Sequence, residues 1–401
     1  MSPVVPLPIE PPAYHVETIR YLQTQEADLW KWFSAGRLRT QQNEAVRLDL
    51  LKSTYRIERD VNPTLYAAAD EAGGKLGLSV PVTFYQSQSI GGLNASLAYM
   101  PGEAHVVLTG PVATALTAAE LRCVLGHELL HFGLLGRWPE YLCASQILAA
   151  MTNDPAAETA HVASARLFNL YTEVYCDRGS YRVDGDLASS ITALVKIETG
   201  TTDVSADSYL RQTEEIFSKG HPRSEGVTHP ETFIRAKALK VWAEQPGLAA
   251  EEIVRVIEGP PSLDELDLLG RQRLSGLTRR LIAAFLRPEW LRTESVLAHA
   301  RLFFDDFKWE PVEIARLAAD LKIGDAKMTD YYGYVLLDFA VADRDLEEAP
   351  LAAALLLSDD LGLGDRFRQL AAKELNLRKK PLETLEANAS RIVAEAGEAS
   401  D

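Results

Sequence analysis

Two histidines four residues apart with a glutamate after the first, His127-Glu128-Leu-Leu-His131, form a pattern able to bind a metal ion and carry out hydrolysis. On an α-helix this spacing brings both imidazoles to one face, at a separation that one ion can bridge. Glu128 then stands beside the ion, where its carboxylate can hold a water and take its proton. Further along, Glu173 and Asp177 repeat the four-residue spacing with carboxylates. Glu173 is the expected third ligand, because two imidazoles and one carboxylate leave a fourth zinc position open for water. Asp177 is expected behind the ligands, fixing a histidine tautomer through the other ring nitrogen. Core histidines bonded to backbone carbonyls and a solvated carboxylate face are the structural alternatives.

These side chains need two helices to position them. Thr117 and Glu120 fit a capping box, and Leu116 and Leu121 a hydrophobic staple, so the pattern predicts a proline-free helix over 117–132. Its interior glycine, Gly126, directly precedes His127, where close packing would require a small residue. Asp154-Pro155 reads as N-cap and first residue of a long helix that carries Glu173 and runs to about Asp177, with a break over 179–185. Residues 81–87 read as a strand, and 95–100 and 104–109 as a hairpin around Pro101-Gly102 that leads into the motif helix. Helical periodicity covers 15–59, a helix opened by Asn62-Pro63, and 141–151, 187–198 and 231–244; residues 199–230 read as a polar segment.

At this level the chain resembles the HtpX-like and CAAX-prenyl-protease-like family of zinc metallopeptidases, a gluzincin family. The residues that carry the likeness are His127-Glu128-x-x-His131, then Glu173-Val-Tyr-Cys-Asp177, then Thr228-His229-Pro230 with Arg235, over roughly residues 55–245. Asn94-Ala95 stands where that family has an Asn-Ala pair. The resemblance implies one zinc ion per chain held by His127, His131 and Glu173, with Asp177 orienting a ligand. It implies that His229 steadies an oxyanion or reversibly occupies the site, aided by Arg235, and that Asn94 contacts the substrate backbone. Cys176 replaces the family's usual alanine, which puts a thiol next to Asp177, open to oxidation where solvent reaches it. His221 lacks the preceding threonine and reads as a loop residue, and His15, His105, His161 and His299 have no partner pattern.

The expected fold class is α+β and mostly helical, a gluzincin-type domain with a small sheet and an active-site helix, followed by an all-α domain. The expected divisions are a proline-rich arm with N-terminal helices over 1–54, the zinc domain over 55–245, a linker region over 246–275 and a helical domain over 276–401. The Asp338 to Glu348 stretch weakly resembles TerB-like helical domains, but Arg344 stands where their glycine would be, so its acids read as a helix start and no metal site follows. The Ala/Glu-rich residues 387–401 are expected to fray.

Among 401 residues, 41 basic and 57 acidic side chains give a net charge of −16, which argues against nucleic acid or an anionic membrane as partner. Cys123, Cys143 and Cys176 form no CxxC pair, so free thiols in a reducing compartment are expected. No basic leader and no run of about 18 apolar residues is visible, and the expectation is a cytoplasmic chain without membrane insertion. The function expected is a soluble zinc metalloendopeptidase acting on a peptide or protein substrate. The alternative is a latent or adaptor protein with a structural zinc domain, whose helical C-terminal domain binds a protein partner.

Overall fold

The structure, a computed structural model, describes residues 9–35, 37–89 and 91–399, apart from the side chains of 37–43. Prolines 3, 6 and 8 of the expected arm lie outside the described residues. The chain divides into two units, Met1–Gly259 and Pro260–Asp401.

The first unit begins with α1 (Ala13–Gln25), α2 (Ala27–Ser34) and α3 (Arg37–Ser53). A short strand, β1 (Thr54–Ile57), follows where the helical pattern was expected to continue. Its Thr-Tyr-Arg-Ile is β-branched and aromatic, and cross-strand pairing with a neighbour decides so short a segment. After α4 (Pro63–Lys75) come β2 (Val82–Ser87), β3 (Asn94–Met100) and β4 (Glu103–Thr109). The sheet order is β1-β2-β4-β3, with β2 and β4 parallel and the outer pairs antiparallel. Ala104, Val106 and Leu108 are fully buried on one face of β4, the period-two pattern of a half-covered sheet. The expected hairpin forms, and β3 is left as an edge strand.

After α5 (Val112–Ala115), the motif lies on α6 (Ala118–Arg137). Its capping box is made: Glu120 N–H donates to Thr117 Oγ1 (3.3 Å) and Thr117 N–H to Glu120 Oε2 (2.8 Å). Then come α7 (Pro139–Asn153) and the long α8 (Thr159–Asp184). The helix does not start at Pro155 as expected. Asp154 Oδ1 accepts the Ala156 N–H at 2.8 Å in an Asx turn, which spends the capping group locally. Nor does it break at Gly179; it runs on to Asp184, and Gly185 ends it in the left-handed conformation (φ 73°). Gly179 is a packing glycine, placed where α8 crosses α6 beside Gly126.

The unit ends with α9 (Leu187–Thr199), α10 (Ala206–Ser218), α11 (Thr232–Glu244) and α12 (Ala249–Ile257). α10 occupies part of the segment read as polar, since it buries little beyond Ala206 and Thr213. The stretch expected as linker is largely helical, because α12 buries Ile253, Val256 and Ile257 and packs on α11. The N-terminal helix α1 belongs to this unit. Tyr14 stacks on Tyr171 of α8 at 4.9 Å, His15 Nε2 meets Phe168 O at 2.8 Å, and Tyr175 Oη donates to Ile9 O at 2.9 Å.

The second unit is helical throughout its regular elements among the described residues: α13 (Leu268–Phe285), α14 (Glu294–Phe303), α15 (Ile314–Leu321), α16 (Ala326–Ala340), α17 (Ala349–Asp360), α18 (Gly364–Glu374) and α19 (Lys379–Glu398). They surround Phe285, Tyr332, Phe339 and Phe367. The expected fraying does not occur through 398, because α19 buries Leu382 in this core and packs Ile392, Val393 and Ala396 against it. Asp343 takes the Thr293 hydroxyl (2.6 Å) and, as N-cap of the short 3₁₀ helix Arg344–Leu346, the Asp345 N–H (3.1 Å), a helix start as read for these acids. Among the described residues no helix is long and apolar enough to cross a membrane.

Candidate metal centre

Helix α6 presents His127 and His131 four residues apart, and α8 brings Glu173 across to them. His127 Nε2 and His131 Nε2 lie 3.2 Å apart, and Glu173 reaches them with Oε2 at 3.3 Å and Oε1 at 3.4 Å. Among the described residues this is the one His/Cys/Asp/Glu group whose donor atoms converge, all within 4.8 Å of one another, so it could hold a metal ion. Close approach of the helices makes this possible. A β-carbon on Gly126 would sit 2.7 Å from Val183 Cγ2, and one on Gly179 would sit 2.7 Å from Leu130 Cδ2.

Behind the three donors stands a buried ionic chain. Asp177 Oδ1 lies 3.1 Å from His127 Nδ1, and Arg235 grips Asp177 with two bonds, Nε to Oδ2 at 2.8 Å and Nη2 to Oδ1 at 2.6 Å. Nη1 also reaches Glu198 Oε1 at 3.3 Å. Fork geometry of this kind fixes the carboxylate's plane, and through it the His127 ring. Burial opposes charge on Asp177, but the Arg235 guanidinium outweighs it and holds the carboxyl below its usual range. Glu173 is likewise held well below its usual range by His127 and His131 against the cost of burial.

The donors favour positive charge at their centre. Burial disfavours protonated His127, yet Asp177 and Glu173 outweigh that and push its pKa up to about 10. Burial pushes His131 down to about 4, so that ring is neutral near pH 7 and offers a lone pair. Two imidazoles and a carboxylate are zinc-type donors, and a dication would displace the His127 proton from a place already suited to a cation.

Glu128 is buried beside the donors, and burial pushes its carboxyl up to about 7 against the pull of His127. The Leu97 N–H of edge strand β3 hydrogen-bonds to it. His229 sits on the loop between α10 and α11 with its side chain 57% exposed, Nε2 3.6 Å from Glu173 Oε2 and Nδ1 2.9 Å from Thr228 Oγ1. It lies outside the converging three-donor set. That loop is tightly built. A β-carbon on Gly226 would fall 1.9 Å from His229 O, so only glycine fits the turn. Arg166 of α8 donates to Gly226 O at 2.8 Å and to Ser224 O.

All eight residues singled out in the sequence, Asn94, His127, Glu128, His131, Glu173, Asp177, His229 and Arg235, line one cavity of about 350 Å³. Asn94 is exposed at the start of β3. Arg235 is placed with its guanidinium on Asp177. Cys176 is fully buried and burial pushes its thiol well up, so the expected exposure to oxidation is not met. His221 lies on a loop against Arg255 (3.2 Å), and His15 and His105 are core residues. Sequence reasoning missed Arg166, Glu198 and the Leu97 amide; a lone arginine in a helix and a backbone N–H carry no pattern. Comparison with protein-family models, with curated proteins and with solved structures finds no match to this chain.

Proposed function

We propose that this protein is a zinc-dependent metalloendopeptidase of gluzincin type, akin to the HtpX-like and CAAX-prenyl-protease-like enzymes. The observation that carries the reading is the convergence of His127, His131 and Glu173 beside the buried carboxylate of Glu128. A zinc ion held by the three donors would polarise a peptide carbonyl and acidify water. Glu128 takes the proton of the attacking water and delivers it to the leaving amine. The Leu97 N–H holds that carboxylate in place. Asp177, clamped by Arg235, keeps His127 turned with Nε2 toward the site. His229, steadied by Thr228, offers Nε2 to the developing oxyanion, a contribution of roughly a hundredfold or more in rate.

The substrate lies extended along β3, whose outer edge is unpaired in the sheet, and gains main-chain hydrogen bonds there. Asn94 stands at the start of that edge. All three cysteines are free and buried, which fits a reducing compartment such as the cytoplasm. The test is proteolysis of a proteome-derived peptide library, with mass-spectrometric readout, before and after removal of metal by a chelator. Cleavage that disappears with the metal and returns with one equivalent of zinc is expected. Cleavage indifferent to the chelator, or none from zinc-loaded protein, would refute the reading.

A further inference from the structure

The loop that carries His229 is fastened at its buried points. Of residues 221–230, Ser224 and Pro230 are buried and the rest are half-buried or exposed. Pro230 leads into α11, so the place of Ser224 decides where the exposed run between them lies. The Ser224 hydroxyl has no hydrogen-bond partner among the described residues, and the residue is held by its backbone instead. Its carbonyl accepts from Arg166 of α8, and its N–H donates to Val256 O of α12 at 2.7 Å.

The second of these bonds belongs to the way α12 ends. The last carbonyls of a helix have no partner inside it. Here Val254 O and Arg255 O take the N–H groups of Glu258 and Gly259 at 2.8 and 3.2 Å, Val256 O takes Ser224, and Glu258 O takes Arg223 Nη1 at 3.4 Å. The His229 loop thus caps α12, and Arg223 sets a positive charge at the helix's negative end. Gly259 permits the fit, since it is left-handed (φ 69°) and a β-carbon there would fall 2.6 Å from Arg223 Cδ.

The capped end is tied in turn to the helix that bears a metal donor. Tyr171 Oη of α8 donates to Glu258 Oε1 at 2.6 Å, a charge-assisted bond made two residues before Glu173 in the chain. Between Ser224 and His229 the chain has little slack, because Gly226 packs directly on His229 O. Neither Tyr171 nor Glu258 lines the cavities at the metal donors.

We propose that Tyr171 and Glu258 are positioning residues for His229. Through the capped end of α12 they fix the loop relative to α8, and so hold His229 Nε2 at its 3.6 Å from Glu173 Oε2. This assignment rests on the peptidase reading given above, with His229 at the oxyanion, and names what keeps that residue in place. The anchor lies in the last residues of the first unit, which ends at Gly259.

The test uses full-length, zinc-loaded protein and two readouts, amide hydrogen exchange over residues 221–229 and peptide hydrolysis. Tyr171→Phe keeps the ring that stacks on Tyr14 and loses the hydroxyl, Glu258→Leu removes the acceptor, and Glu258→Gln retains an acceptor oxygen. Tyr171→Phe and Glu258→Leu should each speed exchange of the Ser224 amide about tenfold and lower kcat about tenfold, the effect of one hydrogen bond to a charged group. KM and zinc content should be retained, because the oxyanion contact is made in the transition state. Glu258→Gln should stay within about threefold of wild type in both readouts. Added to His229→Ala, Tyr171→Phe should speed exchange without lowering kcat further. Exchange or kcat unchanged in either disruptive variant, or a further fall in kcat on the His229→Ala background, would overturn the proposal and leave the peptidase reading intact. Absence of hydrolysis by the wild type would refute the peptidase reading, and exchange alone would then decide the anchor. Faster exchange from Ser224 through Thr228 in both variants would support it, and unchanged exchange would overturn it.

Discussion

Gly126 and Gly179 face each other where the two site-bearing helices cross, each carbonyl oxygen lying 3.0–3.1 Å from where the other's β-carbon would be. The contact sets the distance between the histidines of α6 and the glutamate of α8. Gly179→Ala would also press on Leu130 at 2.7–2.9 Å. A better helix former gains at most about 1 kcal/mol, whereas overpacking a tight core costs about 1–3 kcal/mol. The expected outcome is a lower melting temperature and weaker zinc binding, read by calorimetry and chelator competition. Unchanged zinc affinity would show that the crossing does not set the site.

Asp177 is the link between Arg235 and His127. Asp177→Asn keeps the shape but weakens both contacts, and zinc affinity should fall about 10- to 100-fold. Asp177→Ala leaves a buried guanidinium paired only at longer range, with Glu198 at 3.3 Å and Glu173 at 3.9 Å, and should cost about 3–5 kcal/mol in urea denaturation. Equal stability of the Asn and Ala variants would contradict this.

Arg166 holds the His229 loop from the same helix that carries Glu173. Arg166→Ala should raise amide hydrogen exchange over residues 224–229 and lower kcat, with zinc content retained. Added to His229→Ala it should have little further effect on kcat, because residues acting as a unit are not additive. Full additivity would assign Arg166 a role independent of His229.

His15 gives a pH-dependent stability. It is fully buried on α8 with Nδ1 unpartnered, and burial pushes its pKa from 6.5 to about 4. Above pH 6.5 the ring is neutral folded or unfolded, and the fold keeps its full stability. As pH falls from 6.5 toward 4 the unfolded chain binds a proton that the folded chain refuses, and about 3 kcal/mol should be lost. His15→Phe should remove this component, seen as a flatter difference in denaturation free energy between pH 7 and pH 4. Identical pH profiles for the two proteins would refute it.

Much of the site was legible in the sequence because its parts are local patterns. Thr117 with Glu120 set the helix start, His127 and His131 share one face by spacing, and Glu173 with Asp177 repeat it. What was not legible depends on tertiary contact. Gly179 reads as a helix break in isolation and becomes a crossing point only beside Gly126. Asp154 and Pro155 carry a valid start signal that the chain uses for a turn. β1 is four residues long and has no periodicity to detect. Arg235 was expected at the substrate, and only the fold places its guanidinium on Asp177.

The most direct measurement compares wild type and Glu128→Gln on one preparation, with zinc per chain and peptide turnover measured together. One zinc in both proteins is expected, with hydrolysis lost in the variant by at least about a hundredfold, since Glu128 transfers the proton but does not hold the metal. A variant that retains full hydrolysis, or a wild type that binds no zinc, would contradict the assignment.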